Sequence, residues 1–175
     1  MPLQPECKGY FLSRPYFGLY AGCGLRYGDN TEELAGQGLS VTAFDVSPAA
    51  VGKCRTRFPH TAVQYEVADL LHPPAGWARA SDLVLEISTL QVLPPEPRAV
   101  ALANVAKFVA AGGTLLVVAR GREDDEPRGE MPWPLTRAEM DRFGSPGVTE
   151  VSFDDLHDRE DPPVRRYRAV NLRSE

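Results

Sequence analysis

Four places along the chain carry groups able to hold a ligand, and each falls where an apolar run ends. Gly22-Cys23-Gly24 closes the short apolar run 17–21. Glycine permits a sharp turn and lets a ligand approach the backbone closely. A helix following the turn would aim its amide groups at that ligand, although any tight strand-to-helix turn uses the same residues. Asp45 lies 21 residues beyond Gly24. An acid about 20 residues past a glycine turn suits hydrogen bonding to ribose hydroxyls; Asp45 could instead cap the helix that Ser47-Pro48 begins. Asp69-Leu70 pairs a carboxylate with an apolar side chain. The acid could accept from the exocyclic amine of adenine while Leu70 covers the ring, or Asp69 could simply cap a turn. Glu86 interrupts the apolar run Leu83-Val84-Leu85-Glu86-Ile87. A charge there is costly without a partner. At the open carboxyl edge of a parallel sheet it would face the ligand crevice, unless a surface Arg pairs with it. Together the four fit one nucleoside lying across the ends of several strands.

The elements needed to position these groups are legible in the apolar pattern. Strands are expected at residues 17–21, 40–45, 62–67, 82–87 and 114–119, and helices at 31–36, 47–58 and 95–109. Asp29, Asn30 and Thr31 offer oxygens to cap the first helix, and Pro59 ends the second. Gly112-Gly113 stops the third. Strands this apolar, alternating with helices, imply a parallel sheet covered on both faces. The tail differs. Residues 121–134 form a polar loop, Thr136 and Glu139 form a capping box for a helix over 136–143, and strands at 148–153 and 165–172 pair as a hairpin. The expected fold class is α/β: a Rossmann-like, mostly parallel seven-stranded sheet with helices on both faces and an antiparallel C-terminal hairpin.

The chain of 175 residues reads as one domain, with residues 1–15, which hold three prolines, irregular. A net charge of −5 argues against nucleic acid as the main partner. Arg165, Arg166 and Arg168 alternate with apolar residues and read as one solvated strand face. No run approaches the roughly 18 apolar residues of a bilayer span, so no membrane partner is expected. Cys7, Cys23 and Cys54 are odd in number and widely spaced, which suits free thiols in a cytoplasmic setting. His60, His72 and His157 show no metal-ligand spacing and read as solvated loop positions; no metal is expected.

The ordered series GlyCysGly, "VTAFDVSP", "VADLL", "DLVLEISTLQVLP" and "VAAGGTLLVVARG" resembles the motifs of class I S-adenosylmethionine-dependent methyltransferases. The later segment "MPWPLTRAEM" and the closing hairpin make the chain look most similar to the small bacterial thiopurine-methyltransferase-like group. The resemblance covers residues 17–172. It implies an enzyme that uses S-adenosylmethionine as cofactor and a small molecule as methyl acceptor. It implies further that Gly22, Cys23 and Gly24 contact the methionine portion and that Asp45 holds the ribose hydroxyls with Val46 beside the adenine. Asp69 and Leu70 would contact adenine, Glu86 and Ile87 would line the pocket near the sulfonium, and Trp133 would lie over the acceptor; Trp133 could instead be a packing residue between Pro132 and Pro134.

No catalytic base is assigned. Ser88-Thr89-Leu90-Gln91 stands where an Asn-Pro-Pro-aromatic motif would follow the fourth strand. Thiols and other soft acceptors need little help from a base, and such an acceptor is expected. Two features depart from the family pattern. Gly24 is followed by Leu25-Arg26-Tyr27, so the next glycine, Gly28, comes four residues on. Only 16 residues precede the first strand, so the pocket is expected to be open on that side or completed by a second subunit of a homodimer. Two other readings remain at this level: a dinucleotide-binding oxidoreductase, which the closing hairpin disfavours, and a methyltransferase-like module that binds without turnover.

Overall fold

The computed structural model describes residues 20–23, 28–144 and 147–175; of residues 20–23 only the backbone is described. The described strands form one sheet in the order β3-β2-β1-β4-β5-β7-β6. The first five are β1 (Tyr20–Cys23), β2 (Val41–Asp45), β3 (Gln64–Val67), β4 (Ser81–Ile87) and β5 (Val109–Arg120). All neighbours among them pair in parallel. Then β6 (Val148–His157) and β7 (Arg165–Arg173) close as a hairpin, with β7 antiparallel to β5. The strand order reverses between β1 and β4, the point at which open α/β sheets leave a crevice at their carboxyl edge.

Two apolar layers hold the sheet. On one face Leu34, Val51 and Cys54 pack on Ala43, Leu83, Leu85, Leu116 and Val118. On the other, Ala101, Val105 and Phe108 pack on Phe44, Val84, Leu115, Val117 and Ala119. The layers follow from alternation: successive residues of a strand point to opposite faces, and both faces are buried. Phe44 anchors the second layer, with its ring centroid 4.7 Å from that of Trp77 and 6.2 Å from that of Phe108.

Local chemistry explains the helix boundaries. Helix α1 (Asp29–Gly36) begins earlier than its sequence suggests, and its cap position is Gly28 rather than a polar side chain. The candidate caps are engaged elsewhere: the Asp29 carboxylate pairs with Arg57 at 2.7 Å, and Thr31 Oγ1 donates back to the Gly28 carbonyl at 2.7 Å. Gly28 itself has φ 81°, and a Cβ there would stand 2.7 Å from the Tyr65 hydroxyl. Only glycine fits without strain. Helix α2 (Pro48–Arg57) starts as expected, with Ser47 Oγ accepting from the Ala50 amide at 3.3 Å. Helix α3 (Pro95–Phe108) ends one residue short of expectation and runs straight into β5. Gly112-Gly113 therefore does not stop the helix. It lies inside β5, where the register with β4 shifts between Ser81 and Leu83. A Cβ on Gly113 would meet the Ala110 carbonyl oxygen at 2.9 Å. Helix α4 (Arg137–Asp141) carries the expected capping box: Thr136 Oγ1 accepts from the Glu139 amide at 3.2 Å, and Glu139 Oε2 accepts from the Thr136 amide at 2.9 Å.

Candidate functional site

At the carboxyl edge of the sheet lies a cavity of about 710 Å3. That is within the ~300–1,000 Å3 range of small-molecule sites. Its wall runs across the sheet from β3 to β7. Asp45 and Val46 come from the end of β2, and Asp69, Leu70 and Leu71 from the turn after β3. Ile87, Ser88 and Thr89 follow from the end of β4, and Arg120 and Arg166 from the β5–β7 ladder.

Asp45 and Asp69 are each fixed by a backbone amide, whereas Glu160, the third acid on the wall, is held by Arg166. Asp45 Oδ1 accepts from the Ser47 amide at 2.8 Å. Asp69 Oδ1 accepts from the Leu71 amide at 2.8 Å, and its Oδ2 lies 2.8 Å from His72 Nδ1. The His72 side chain and the Leu71 amide together hold the Asp69 carboxyl below its ordinary value, so it stays ionised. Val46 is exposed, whereas Leu70 is buried against the α3-side core. The structure thus brings Asp45, Val46, Asp69, Leu70 and Ile87 to one cavity. Gly22 and Cys23 fall within β1, in register with Leu85 and Glu86 of β4. Gly24 lies outside the described residues, as do Arg26 and Tyr27.

Glu86 is placed differently from its expected position facing the crevice. Val84 belongs to the α3-side core and Leu83 and Leu85 to the opposite one, so alternation turns Glu86 toward α3 and leaves Ile87 on the cavity wall. Ser88 then reverses the chain with φ 59°, a left-handed conformation uncommon outside glycine and often found at functional sites. Glu86 Oε1 accepts from the Thr89 amide at 2.7 Å and the Leu90 amide at 3.0 Å. Those are the orphan amides of the 3-10 turn Leu90–Val92. Glu86 is fully buried and its Oε2 has no hydrogen-bond partner among the described residues. Burial pushes its pKa up to about 7 against the opposing pull of the two amides and of Arg98.

Trp133 also misses the wall, which Pro132 reaches instead. The indole packs beside two guanidinium groups, with Arg128 4.4 Å and Arg98 5.9 Å from its ring centroid. Its backbone is tied to Gln91, the last residue of the Ser88-Thr89-Leu90-Gln91 segment, to which no role was assigned. Gln91 is fully buried. Its carbonyl accepts from the Trp133 amide and its Nε2 donates to the Trp133 carbonyl, both at 2.9 Å. Its Oε1 accepts from the Arg120 amide at 2.9 Å. One side chain thus joins the end of β4, the end of β5 and the loop before α4.

The arginines of β7 are not a solvated face. Arg165 pairs with Glu123 and Asp155, and Arg168 with Asp154. Arg166 is 7% exposed and donates to Asp158 at 2.7 Å and Glu160 at 2.9 Å. His60, His72 and His157 are exposed. Among the described residues no group of three or more His, Cys, Asp or Glu could hold a metal ion, and no helix is long and apolar enough to cross a membrane.

Comparisons with known proteins agree with this geometry. A family model described as a methyltransferase domain matches residues 19–113, more than half of the 175-residue chain. Comparison with curated protein sequences finds no match. Among solved structures, the chain is similar to a SAM-dependent methyltransferase from Methanosarcina mazei, at 14% identity and a TM-score of 0.81 over 99% of both chains. It is also similar to the N-methyltransferase NodS from Bradyrhizobium japonicum in complex with S-adenosyl-L-homocysteine, at 20% identity and a TM-score of 0.75 over 98% of this chain and 89% of that one. A third is the 1,6-didemethyltoxoflavin-N1-methyltransferase of Burkholderia thailandensis, at 16% identity and a TM-score of 0.77 over 98% of this chain and 77% of that one. Identities this low establish a shared fold and leave the acceptor undetermined.

Proposed function

The chain belongs to the methyltransferase-domain family, and from that premise we propose that it transfers a methyl group from S-adenosylmethionine to a small-molecule acceptor. The observation that carries the reading is one cavity holding two amide-fixed carboxylates, Asp45 and Asp69, at neighbouring strand ends beside Leu70 and Ile87. The donor set fits a nucleoside. Asp45 accepts from the ribose hydroxyls, and Asp69 accepts from the adenine amine while Leu70 and Val46 cover the ring. Backbone at the end of β1, at Gly22 and Cys23, serves the methionine portion together with Gly24, the next residue in the sequence.

When bound, the cofactor supplies an electrophilic methyl group on sulfur. The chain's own contribution is to hold the reactants in line and exclude water. Ile87, Val92 and Leu93 give the cavity an apolar wall, and Glu86 fixes the turn that carries Ser88 and Thr89 into it. Ser88-Thr89-Leu90-Gln91 in place of an Asn-Pro-Pro-aromatic motif supports a thiol or other soft nucleophile, which needs no base from the wall. The resemblance of "MPWPLTRAEM" and the closing hairpin to the thiopurine-methyltransferase-like group supports the same acceptor class.

Incubation with methyl-labelled S-adenosylmethionine and a panel of small thiols, amines and alcohols tests this. Label should pass to a thiol. Transfer only to nitrogen or oxygen would overturn the soft-acceptor reading, and no transfer to any acceptor would favour a binding module without turnover.

A further inference from the structure

Arg120 and Arg166 stand directly opposite each other across the β5–β7 ladder, and both reach the cavity wall. Like charges in directly opposed positions repel. Arg166 is neutralised by Asp158 and Glu160. Arg120 is not: among the described residues only its backbone is hydrogen-bonded, through Gln91 and Leu135, and no ion pair reaches its guanidinium. The acids at the opposite end, Asp45 and Asp69, belong to β2 and the turn after β3. Strand order puts β2 three strand spacings from β5, which is about 14 Å. Between them the wall is apolar, with Ile87, Val92 and Leu93.

A half-buried cation at the far end of an apolar cavity, with its backbone pinned on both sides by a buried glutamine, is a site for a negative charge. We propose that Arg120 determines acceptor specificity by pairing with an anionic oxygen group, such as a carboxylate, on an acceptor whose body is apolar. The proposal deepens the methyltransferase reading and rests on it for the identity of the ligand as an acceptor. Guanidinium pairs with carboxylates through two parallel hydrogen bonds. Arg166 beside it is engaged by Asp158 and by Glu160, which also reaches the wall, so Arg120 is the guanidinium of that end without an ion pair among the described residues.

Calorimetry with phenylacetate and phenylacetamide, which share a body and differ in charge, tests the pairing with and without S-adenosylhomocysteine. Phenylacetate should bind about tenfold more tightly than the amide. Arg120→Gln should abolish that preference, Arg120→Lys should retain part of it, and neither should alter affinity for S-adenosylhomocysteine. Thermal melting of both variants checks that they fold. Equal binding of the two probes to the wild-type chain would overturn the proposal, as would a preference that survives in Arg120→Gln. Weakened S-adenosylhomocysteine binding in Arg120→Gln would also overturn it, by assigning Arg120 to the cofactor. A chain that ignores S-adenosylhomocysteine yet keeps an Arg120-dependent preference for phenylacetate would sink the cofactor reading and leave the anion site standing.

Discussion

Glu86 and Leu90 are joined by a 3.0 Å bond from the Leu90 amide to a fully buried carboxylate oxygen that also takes the Thr89 amide. The acid that interrupts β4 thus ties off the turn bordering the cavity. Its second oxygen has no partner among the described residues, and burial, which disfavours the charged form, pushes the carboxyl from 4.5 up to about 7.

That raised value makes stability depend on pH in a definite direction. Below 4.5 Glu86 is protonated in both the folded and the unfolded chain; between 4.5 and about 7 only the unfolded chain ionises. Unfolding then releases a proton, so rising pH favours it. The Glu86 contribution should be fully present at low pH and lost through this window, by on the order of 3 kcal/mol for a difference between 4.5 and about 7. Urea denaturation of the wild type and Glu86→Gln across the window checks this. The amide variant should lack the fall, and parallel profiles would refute the assignment.

Gln91 predicts a coupled loss of stability and geometry. Gln91→Leu keeps the volume but strips partners from the Arg120 amide and the Trp133 carbonyl. Leaving two backbone groups without partners in a buried position should cost about 3 kcal/mol, read as a lower urea midpoint. A midpoint unchanged from wild type would show that water replaces the side chain.

The Arg166–Asp158 pair is buried at both ends, with side chains 9% and 6% exposed. Arg166→Met should destabilise by about 3 kcal/mol, because Asp158 keeps its charge and loses its counter-ion. Chemical denaturation measures it, and a loss below about 1 kcal/mol, the range of exposed pairs, would contradict the burial argument.

The same residues show what a sequence can disclose. The ends of β2 and β3 were legible because each apolar run stops at its acid, and local pattern alone carries Asp45 and Asp69 to the carboxyl edge. Ser47-Pro48 and the Thr136–Glu139 capping box were legible for the same reason: their bonds lie within three residues. Glu86 was expected to face the crevice; strand alternation turns it toward α3 instead, where the amides of the turn after Ser88 hold it, a partner outside the strand pattern. Gly112-Gly113 looked like a helix stop because its role, a register shift in β5, exists only against β4. Gln91 went unassigned because its partners lie across the fold. Arg166 was read as solvated because the acids that bury it sit in a loop outside the strand pattern, and Trp133 packs against Arg98 and Arg128 off the wall. Gln91 reaches Trp133, 42 residues on, and the acids that neutralise Arg166 come from the connection between β6 and β7. Buried polar partners of this kind are set by tertiary contact and leave no periodic trace.

The central claim is that Asp45 and Asp69 hold a nucleoside cofactor in the cavity at the strand ends. Calorimetric titration with S-adenosylhomocysteine, on the wild type and on Asp45→Ala and Asp69→Ala, tests it most directly. The account predicts saturable binding to the wild type, with each variant weakened by roughly tenfold or more, the loss of a hydrogen bond to a charged group. Absence of binding to the wild type, or binding that neither substitution alters, would contradict it.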